Sequence, residues 1–305
     1  MKKLKVVVSI PGHNLYLREQ EAAAKAAADR LGVELQVINA EMDPLQQSQQ
    51  LLELVQSRTE AKPDAIVLEP VSAAGLPRVA EAAVAAGIAW VVSNALVDYL
   101  GDLRKKAKAP VFQVSQDHVE IGRIQGRQIG ALLPEGGSVL YLRGPAMNAV
   151  AAKRFEGLEA AKPKNIELRS VKVQSSADSS YNALCSWLSS GTVRPEGTQL
   201  ILSQNADFIF GARKAFESNV AEPAKSKWLA VPCAGAGPPN KLRALVNEGA
   251  LLAAVLTSLT MNTVLDMLVP AMKKGSQPQE RTFVEAHSYP SLEELAKRPM
   301  RLNGR

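Results

Sequence analysis

The chain has 305 residues, a size that favours two lobes over a single core. Its composition, 46% hydrophobic and 22% charged, is typical of globular proteins, and no apolar run reaches the roughly 18 residues of a membrane span. The net charge of +6 is scattered over predicted helix faces, without a helix-turn-helix or an aromatic-basic pattern. This distribution argues against specific nucleic-acid binding by the chain itself.

Short apolar runs alternate with alanine-rich helical segments along the first part of the chain. The first strand, KVVVSI at Lys5–Ile10, passes through a Pro-Gly-His-Asn loop into the helix EQEAAAKAAADRLG. The strands ELQVINA, DAIVLEP and AWVVSN follow, each separated from the next by a helix. Gly32 and Gly87 are predicted to end helices, because glycine readily adopts the left-handed conformation found there. The alternation predicts βαβ units and a parallel sheet covered on both faces.

The same rhythm restarts at SVLYLRGP, Ser138–Pro145. The segments IELRSVKV, QLILSQN and KWLAVP are predicted strands, with helices between them. Asp178 is a candidate N-cap for the amphipathic run Tyr181–Leu188, and Pro195-Glu196-Gly197 indicates a turn. The sequence therefore predicts a second parallel sheet.

Parallel sheets bind ligands beyond the carboxyl ends of their strands, where the chain turns into the next helix. The predicted ligand-binding loops are therefore Ile10–Tyr16, Glu69–Ser72, Ser93–Ala95, Arg143–Asn148, Gln204–Asp207 and Pro232–Gly237.

The two lobes are predicted to be discontinuous in sequence. Crossings near Val114–Asp117, Leu256–Leu259 and Ser288–Ser291 would assign residues 1–115 and 258–287 to the first lobe. The second would hold residues 116–257 and 288–305. Three crossings form a three-strand hinge, which permits opening and closing.

Catalytic and metal-binding signatures are not found in the sequence. It has no G-x-S-x-G, H-E-x-x-H, P-loop or first-strand G-x-G-x-x-G motif. Cys185 and Cys233 form no metal or redox motif, and Cys185 is expected to be a buried residue of a helix. We therefore expect a protein that is not an enzyme and that uses no cofactor or metal.

Several stretches in this order resemble one known family over nearly the whole chain. They include KAAADRLGVELQVINA, DAIVLEPVSAAGLPRVAEAAVAAGIAWVVSN, DHVEIGRIQGRQIGALLPEGGSVLYLRGP, ILSQNADFIFGARKAF and KLRALVNEGALLAAV. The chain resembles the type 1 periplasmic binding proteins of the ribose-binding kind, which share their fold with the ligand-binding cores of LacI-type repressors. The resemblance implies two Rossmann-like α/β lobes that close over a small polar ligand, a carbohydrate or polyol, without changing it chemically.

The family's pocket can be transferred to this chain position by position. The resemblance and the strand-end placement together give the following candidate ligand-binding residues: Ser9, His13, Asn14, Tyr16, Glu69, Asn94, Gln116, Asn148, Asn205, Cys233 and Thr257. Tyr16 would supply a stacking ring, whereas Asn148 has an alternative role as a helix N-cap. His13 has the alternative of a surface group, and Glu69 that of a helix cap.

The chain departs from the family at its charged positions. Asn94-Ala95 stands where the family has an Asp-Arg pair, Ala152 where it has an arginine, and Cys233-Ala234 where it has Phe-Asp. The expected pocket is therefore neutral and rich in amides, with Glu69 as the acidic candidate that governs any preference for a donor-rich or cationic ligand.

Two roles and two locations remain open from the sequence. The resemblance implies a periplasmic monomer that delivers its ligand to an ABC permease or a membrane sensor. The chain as given has no signal peptide, because Val6–Ile10 is too short for an apolar leader core, so a cytoplasmic location is the alternative. There the chain would be a LacI-like sensor core that lacks a DNA-binding domain.

Overall fold

A computed structural model describes residues 3–57, 62–72, 76–145, 149–174, 176–190 and 195–298. The chain forms two compact units, of which the first contains Met1–Gln116 and Leu259–Val284 and the second Asp117–Ser258 and Glu285–Arg305. These three boundaries lie one to three residues from the positions expected from the sequence. Residues 285–287 belong to the second unit, and the strand that begins at Ala286 pairs within the sheet of that unit.

The first unit is a six-stranded parallel sheet with helices on both faces. Its elements are β1 (Lys5–Ile10), α1 (Leu15–Leu31), β2 (Glu34–Asn39), α2 (Pro44–Gln56), β3 (Ala65–Leu68), α3 (Pro77–Ala85), β4 (Ala89–Ser93), α4 (Leu100–Lys106) and β5 (Val111–Gln116), and after the second unit α11 (Thr260–Lys274) and β11 (Arg281–Val284). The strand order is β11-β5-β4-β3-β1-β2, and every pair is parallel.

Alternate residues of β1 are buried on opposite faces of this sheet. Val6 and Val8 pack in a cluster with residues of α1 and α11, whereas Val7 packs in a cluster with residues of α2 and α3. Gly32, at φ 68°, ends α1 as predicted. The uninterrupted apolar strands of the sequence are therefore those of a sheet covered on both sides.

The second unit has its own six-stranded sheet. Its elements are α5 (His118–Leu132), β6 (Gly137–Arg143), α6 (Ala149–Ala161), β7 (Ile166–Lys172), α7 (Ala177–Ser189), a 3-10 turn (Pro195–Gly197), β8 (Leu200–Ser203), α8 (Asp207–Asn219), α9 (Ala224–Ala230), β9 (Cys233–Gly237), α10 (Pro239–Asn247), β10 (Ala253–Thr257), β12 (Ala286–Tyr289) and α12 (Leu292–Ala296). The strand order is β12-β10-β9-β8-β6-β7.

The prediction of two α/β lobes with parallel sheets is confirmed, with one antiparallel exception. β12 pairs antiparallel with β10 at the edge of the second sheet. Two local predictions in this unit are wrong. KWLAVP lies largely in α9 rather than in a strand, and α7 begins at a Ser176–Ser179 capping box, which places Asp178 in its first turn instead of at the N-cap.

Two glycines allow α5 and α6 to pack backbone against backbone. A Cβ on Gly122 would lie 2.0 Å from the carbonyl oxygen of Arg154, and one on Gly157 would lie 1.9 Å from that of Val119. Larger residues cannot occupy these positions without separating the helices. This contact fixes the position of α6, which carries Arg154 toward the end of β8.

None of the helices in the described part of the chain is both long and apolar enough to span a membrane.

Candidate functional site

Four of the predicted site residues lie where neighbouring strands of the first sheet end. Ser9 is the penultimate residue of β1, Glu69 follows β3, Asn94 follows β4, and Gln116 ends β5. Because these strands are adjacent and parallel, all four residues lie along one edge of the sheet. We call this edge the first carboxyl edge.

Glu69 and Asn94 form a direct pair on the first carboxyl edge. The Asn94 side-chain amide donates to Glu69 Oε1 at 2.9 Å. Burial raises the pKa of the Glu69 carboxyl to about 7, and the hydrogen bond from Asn94 opposes part of that shift. Asn94 has a φ of 56°, in the left-handed region that asparagine tolerates better than most residues. The helix-cap role weighed for Glu69 is not seen, because α3 follows Leu76 and has no side-chain cap among the described residues.

Gln47, which the sequence analysis did not identify, holds the main chain next to Glu69. This buried α2 side chain donates to Ser9 Oγ at 3.0 Å and to the Glu69 carbonyl oxygen at 2.9 Å. Its oxygen accepts from the Val71 N–H at 2.9 Å. Ser9 is therefore part of the support of this edge and is itself fully buried.

A second polar cluster connects α1 to the start of α11. Gln20 donates to the Tyr16 hydroxyl and, at 2.8 Å, to Thr260 Oγ1, which lies 2.6 Å from Ser93 Oγ. Gln116 Nε2 lies 3.3 Å from the same Tyr16 hydroxyl. The hydroxyl of Tyr16 is thus engaged by glutamines, and its ring position is fixed. The contact between Gln20 and Tyr16 could have been predicted from their spacing of four residues, because such residues share a helix face.

Asn14 and His13 have structural partners in the loop after β1. The Asn14 side chain accepts from the Leu17 N–H at 2.8 Å and caps α1. His13 is exposed and lies 3.3 Å from a carboxylate oxygen of Glu41 and 2.5 Å from the side-chain nitrogen of Asn39. The surroundings of His13 are therefore those of a surface group, which was the alternative to ligand binding.

The corresponding edge of the second sheet, the second carboxyl edge, contains Arg143, Gln204, Asn205 and Thr257. Gln204 is buried and joins two segments, since it accepts from the Gly144 N–H at 2.9 Å and donates to the Ala151 carbonyl oxygen at 2.8 Å. The Asn205 side-chain oxygen accepts from the Asp207 N–H at 3.2 Å, at the start of α8. Thr257 ends β10, and its buried hydroxyl has no hydrogen-bond partner within the described ranges.

Two arginines make the second carboxyl edge cationic, which differs from the expected neutral pocket. Arg154, two positions after Ala152, donates to the Gln204 carbonyl oxygen at 2.6 Å and approaches His118 Nδ1 at 3.4 Å. The Arg143 guanidinium lies 3.7 Å from the centre of the Phe155 ring. Arg143 lies within a loop that was predicted to bind ligand, but position matching to the family did not select either arginine.

Cys233 is wrongly placed by the sequence analysis at a strand's carboxyl end. It is the first residue of β9, because KWLAVP is helical and the strand begins later, and Gly237 occupies the carboxyl end instead. The buried Cys233 thiol lies 3.8 Å from Arg213 Nη2 and 3.6 Å from the Val231 carbonyl oxygen. Cys185 is half-buried rather than buried. Asn148 lies outside the described residues.

Within the described ranges, no three histidine, cysteine, aspartate or glutamate side chains are grouped so as to hold a metal ion. Asp117, considered above only as part of a lobe crossing, accepts from the Glu120 N–H at 2.9 Å and caps α5.

The whole chain is similar to solved solute-binding proteins of the same fold. A galactofuranose binding protein is 19% identical, covers 96% of this chain and 97% of its own, and has a TM-score of 0.77. A periplasmic solute binding protein from Actinobacillus succinogenes with bound D-allose is 16% identical, with 97% and 100% coverage and a TM-score of 0.79. One from Bacillus halodurans with bound myo-inositol is 20% identical, with 97% and 98% coverage and a TM-score of 0.75. These likenesses establish the fold.

No curated protein matches the chain. The family described as "Periplasmic binding protein domain" matches residues 4–262, most of the sequence. That match, together with two discontinuous α/β units and polar carboxyl edges, agrees with the resemblance inferred from the sequence. The chain belongs to the periplasmic binding protein domain family.

Proposed function

We propose that this protein reversibly binds a small polyhydroxylated solute, a carbohydrate or polyol, without changing it chemically. The carboxyl edges of the two sheets are the candidate ligand-binding regions, each within its own unit. The solved relatives with bound D-allose and myo-inositol support this class of ligand.

The observation that carries the proposal is a set of buried polar atoms that the protein does not satisfy. Glu69 Oε2, Asn94 Oδ1 and Thr257 Oγ1 are buried, and none of the described residues forms a hydrogen bond with them. A buried polar atom without a partner costs about 1–3 kcal/mol. Other such atoms occur in the described residues, including Arg143 Nε at the second carboxyl edge. The three oxygens named first lie at carboxyl ends of strands, where hydroxyl groups of a ligand would satisfy them.

We propose further that the protein acts as a monomer and delivers its ligand to an ABC-type permease. Family membership and the relatives described as ABC transporter proteins support the transport role.

A thermal-shift screen of sugars, sugar alcohols and cyclitols tests the binding function. A ligand at about 100 times its dissociation constant adds about 2.7 kcal/mol to the free energy of unfolding, which is easily detected. Calorimetry would then measure the affinity of each compound that raises the melting temperature. No stabilisation by any of these compounds at millimolar concentration would contradict the proposal.

Two variants locate the binding site. Asn94→Gly removes an amide from the first carboxyl edge while keeping the left-handed backbone accessible, so we expect at least a tenfold loss of affinity. Asn219→Gly, at the end of α8, is the matched control and should bind normally. Equal affinities in both variants would place the ligand elsewhere.

A further inference from the structure

The main chain at Glu69 and at Asn94 is hydrogen-bonded to neighbouring strands of the first sheet. The Glu69 N–H donates to the Ser9 carbonyl oxygen at 2.9 Å, and the Asn94 N–H donates to that of Val114 at 2.8 Å. Gln47 holds the Glu69 carbonyl oxygen from the other side. The main chain that carries both side chains is thus supported on its own, which favours a preorganised binding site.

Only one atom of each side chain is used in the contact between them. The Asn94 amide nitrogen donates to Glu69 Oε1, which leaves Glu69 Oε2 and Asn94 Oδ1. Both remaining atoms are oxygens that accept hydrogen bonds, both are buried, and neither has a partner in the described part of the chain. With Glu69 ionised, the pair thus presents two acceptor oxygens beside the second N–H of the Asn94 amide.

The carboxylate also lacks a compensating positive charge. Burial is the main influence on its pKa, which is raised to about 7, and the neutral amide of Asn94 is the influence that opposes it. No lysine, arginine or histidine nitrogen of the described ranges lies within ion-pair distance of Glu69, whereas every ion pair of these ranges involves other residues. Buried carboxylates are normally paired with a cation or bound by several donors.

We propose that the ligand carries a protonated amino group, which donates hydrogen bonds to Glu69 Oε2 and Asn94 Oδ1. The ligand class is therefore an amino sugar or amino polyol, and the inference rests on the proposed solute-binding function. One ammonium group supplies three donors and a positive charge, so it satisfies both oxygens and compensates the carboxylate. A hydroxyl group supplies one donor and no charge, and hydrogen bonds between charged groups are roughly twice as strong as neutral ones.

Matched pairs of compounds test the proposal by calorimetry at pH 8. Suitable pairs are sorbitol with 1-amino-1-deoxysorbitol, myo-inositol with an inosamine, and galactose with 6-amino-6-deoxygalactose. In at least one pair we expect the amino compound to bind the native protein 10- to 100-fold more tightly than its hydroxyl partner.

Two variants assign that preference to Glu69. Glu69→Gln keeps the shape and the contact with Asn94 but removes the charge, so the amino advantage should fall below about threefold. Glu53→Gln, an exposed glutamate on α2, is the control and should retain the full preference. Circular dichroism would verify that both variants are folded.

The outcomes separate this inference from the function on which it rests. If hydroxyl compounds bind as tightly as their amino partners, or if the amino advantage survives in Glu69→Gln, the inference is wrong while the binding function stands. If no compound of either series binds at millimolar concentration, the binding function is contradicted and the inference is contradicted with it.

Discussion

The two carboxyl edges occupy equivalent places in their sheets but differ in chemistry. The first has a carboxylate and an amide, each with one buried oxygen that no described residue satisfies. The second has two guanidinium groups in contact with the protein itself, although Arg143 Nε and the Thr257 hydroxyl also have no hydrogen-bond partner among the described residues. Arg154 is held by the Gln204 carbonyl oxygen, and Arg143 lies on the Phe155 ring. We propose that the first edge sets the preference for the ligand, whereas the position of the second edge depends on the packing of α5 against α6.

The largest expected effect tests the packing that supports the second edge. Gly157→Ala would place a methyl group 1.9 Å from the Val119 carbonyl oxygen and force α5 and α6 apart. We expect a loss of about 3 kcal/mol in the free energy of unfolding, measured by urea denaturation. Gly130→Ala, on the partner helix α5, meets only the Pro163 ring at 3.2 Å and should change stability by no more than about 1 kcal/mol. Similar losses in both variants would show that the close contact does not matter.

The second prediction tests whether ionisation of the buried Glu69 carboxyl lowers the stability of the folded protein. The folded protein keeps the Glu69 carboxyl protonated up to a pKa of about 7, above the unfolded value of 4.5. Between these values the folded state holds a proton that the unfolded state has lost, so this group lowers stability as the pH rises from 4.5 to about 7. Glu69→Gln removes that penalty and should be more stable than the native protein by about 2–3 kcal/mol at pH 8.

Denaturation curves at pH 4.5 and pH 8 would measure this difference. It should be small at pH 4.5, where both side chains are neutral, and large at pH 8. A constant difference at both pH values, or a loss of stability in Glu69→Gln at pH 8, would contradict the assigned cause.

The third prediction compares two buried threonines, one with hydrogen-bond partners and one without a partner in the described residues. Thr260 Oγ1 bonds Gln20 and Ser93 in the first unit, so Thr260→Val should cost about 2 kcal/mol because two buried partners lose their bond. Thr257→Val removes a buried hydroxyl without a partner in the described residues, so stability should stay the same or rise by up to about 1 kcal/mol. Chemical denaturation of both variants measures the contrast, and equal losses would mean that the Thr257 hydroxyl is satisfied.

The smallest effect concerns the backbone at Asn94. Its φ of 56° is easier for glycine than for alanine, so Asn94→Gly should be more stable than Asn94→Ala by about 1 kcal/mol. Both variants remove the hydrogen bond that lowers the Glu69 pKa, and we expect that pKa to rise further. Carbon-13 NMR titration of the Glu69 carboxyl group measures this pKa. An unchanged pKa would contradict the proposed effect of the Asn94 hydrogen bond on Glu69.

The sequence predicted the parts of the fold that depend on local pattern. Strands such as Lys5–Ile10 and helix ends such as Gly32 follow from apolar runs and glycine conformation, and both are confirmed. KWLAVP was predicted wrongly because a short apolar run fits either a strand or a buried helix, and the Cys233 placement depended on it.

The supporting side chains of the site could not be predicted in the same way. Gln20 and Thr260 are 240 residues apart, and nothing local distinguishes Gln20 from a surface glutamine. Arg154 was missed because matching by position selected Ala152, whereas the contact with Gln204 depends on how closely α6 packs against α5. Glu69 was identified because its place directly after a strand does not depend on tertiary contacts.

The return of the chain to the first unit after residue 258 has a consequence for synthesis on the ribosome. The α1 side chains Ala24, Ala27 and Ala28 pack in a cluster with Met261 and Leu265 of α11. At about 5–20 residues per second, roughly ten to thirty seconds separate the emergence of Gln116 from that of Val284, which completes the first unit. For that interval the alanine-rich face of α1 has no α11 to cover it, so the nascent chain presents an apolar surface on which a chaperone can act.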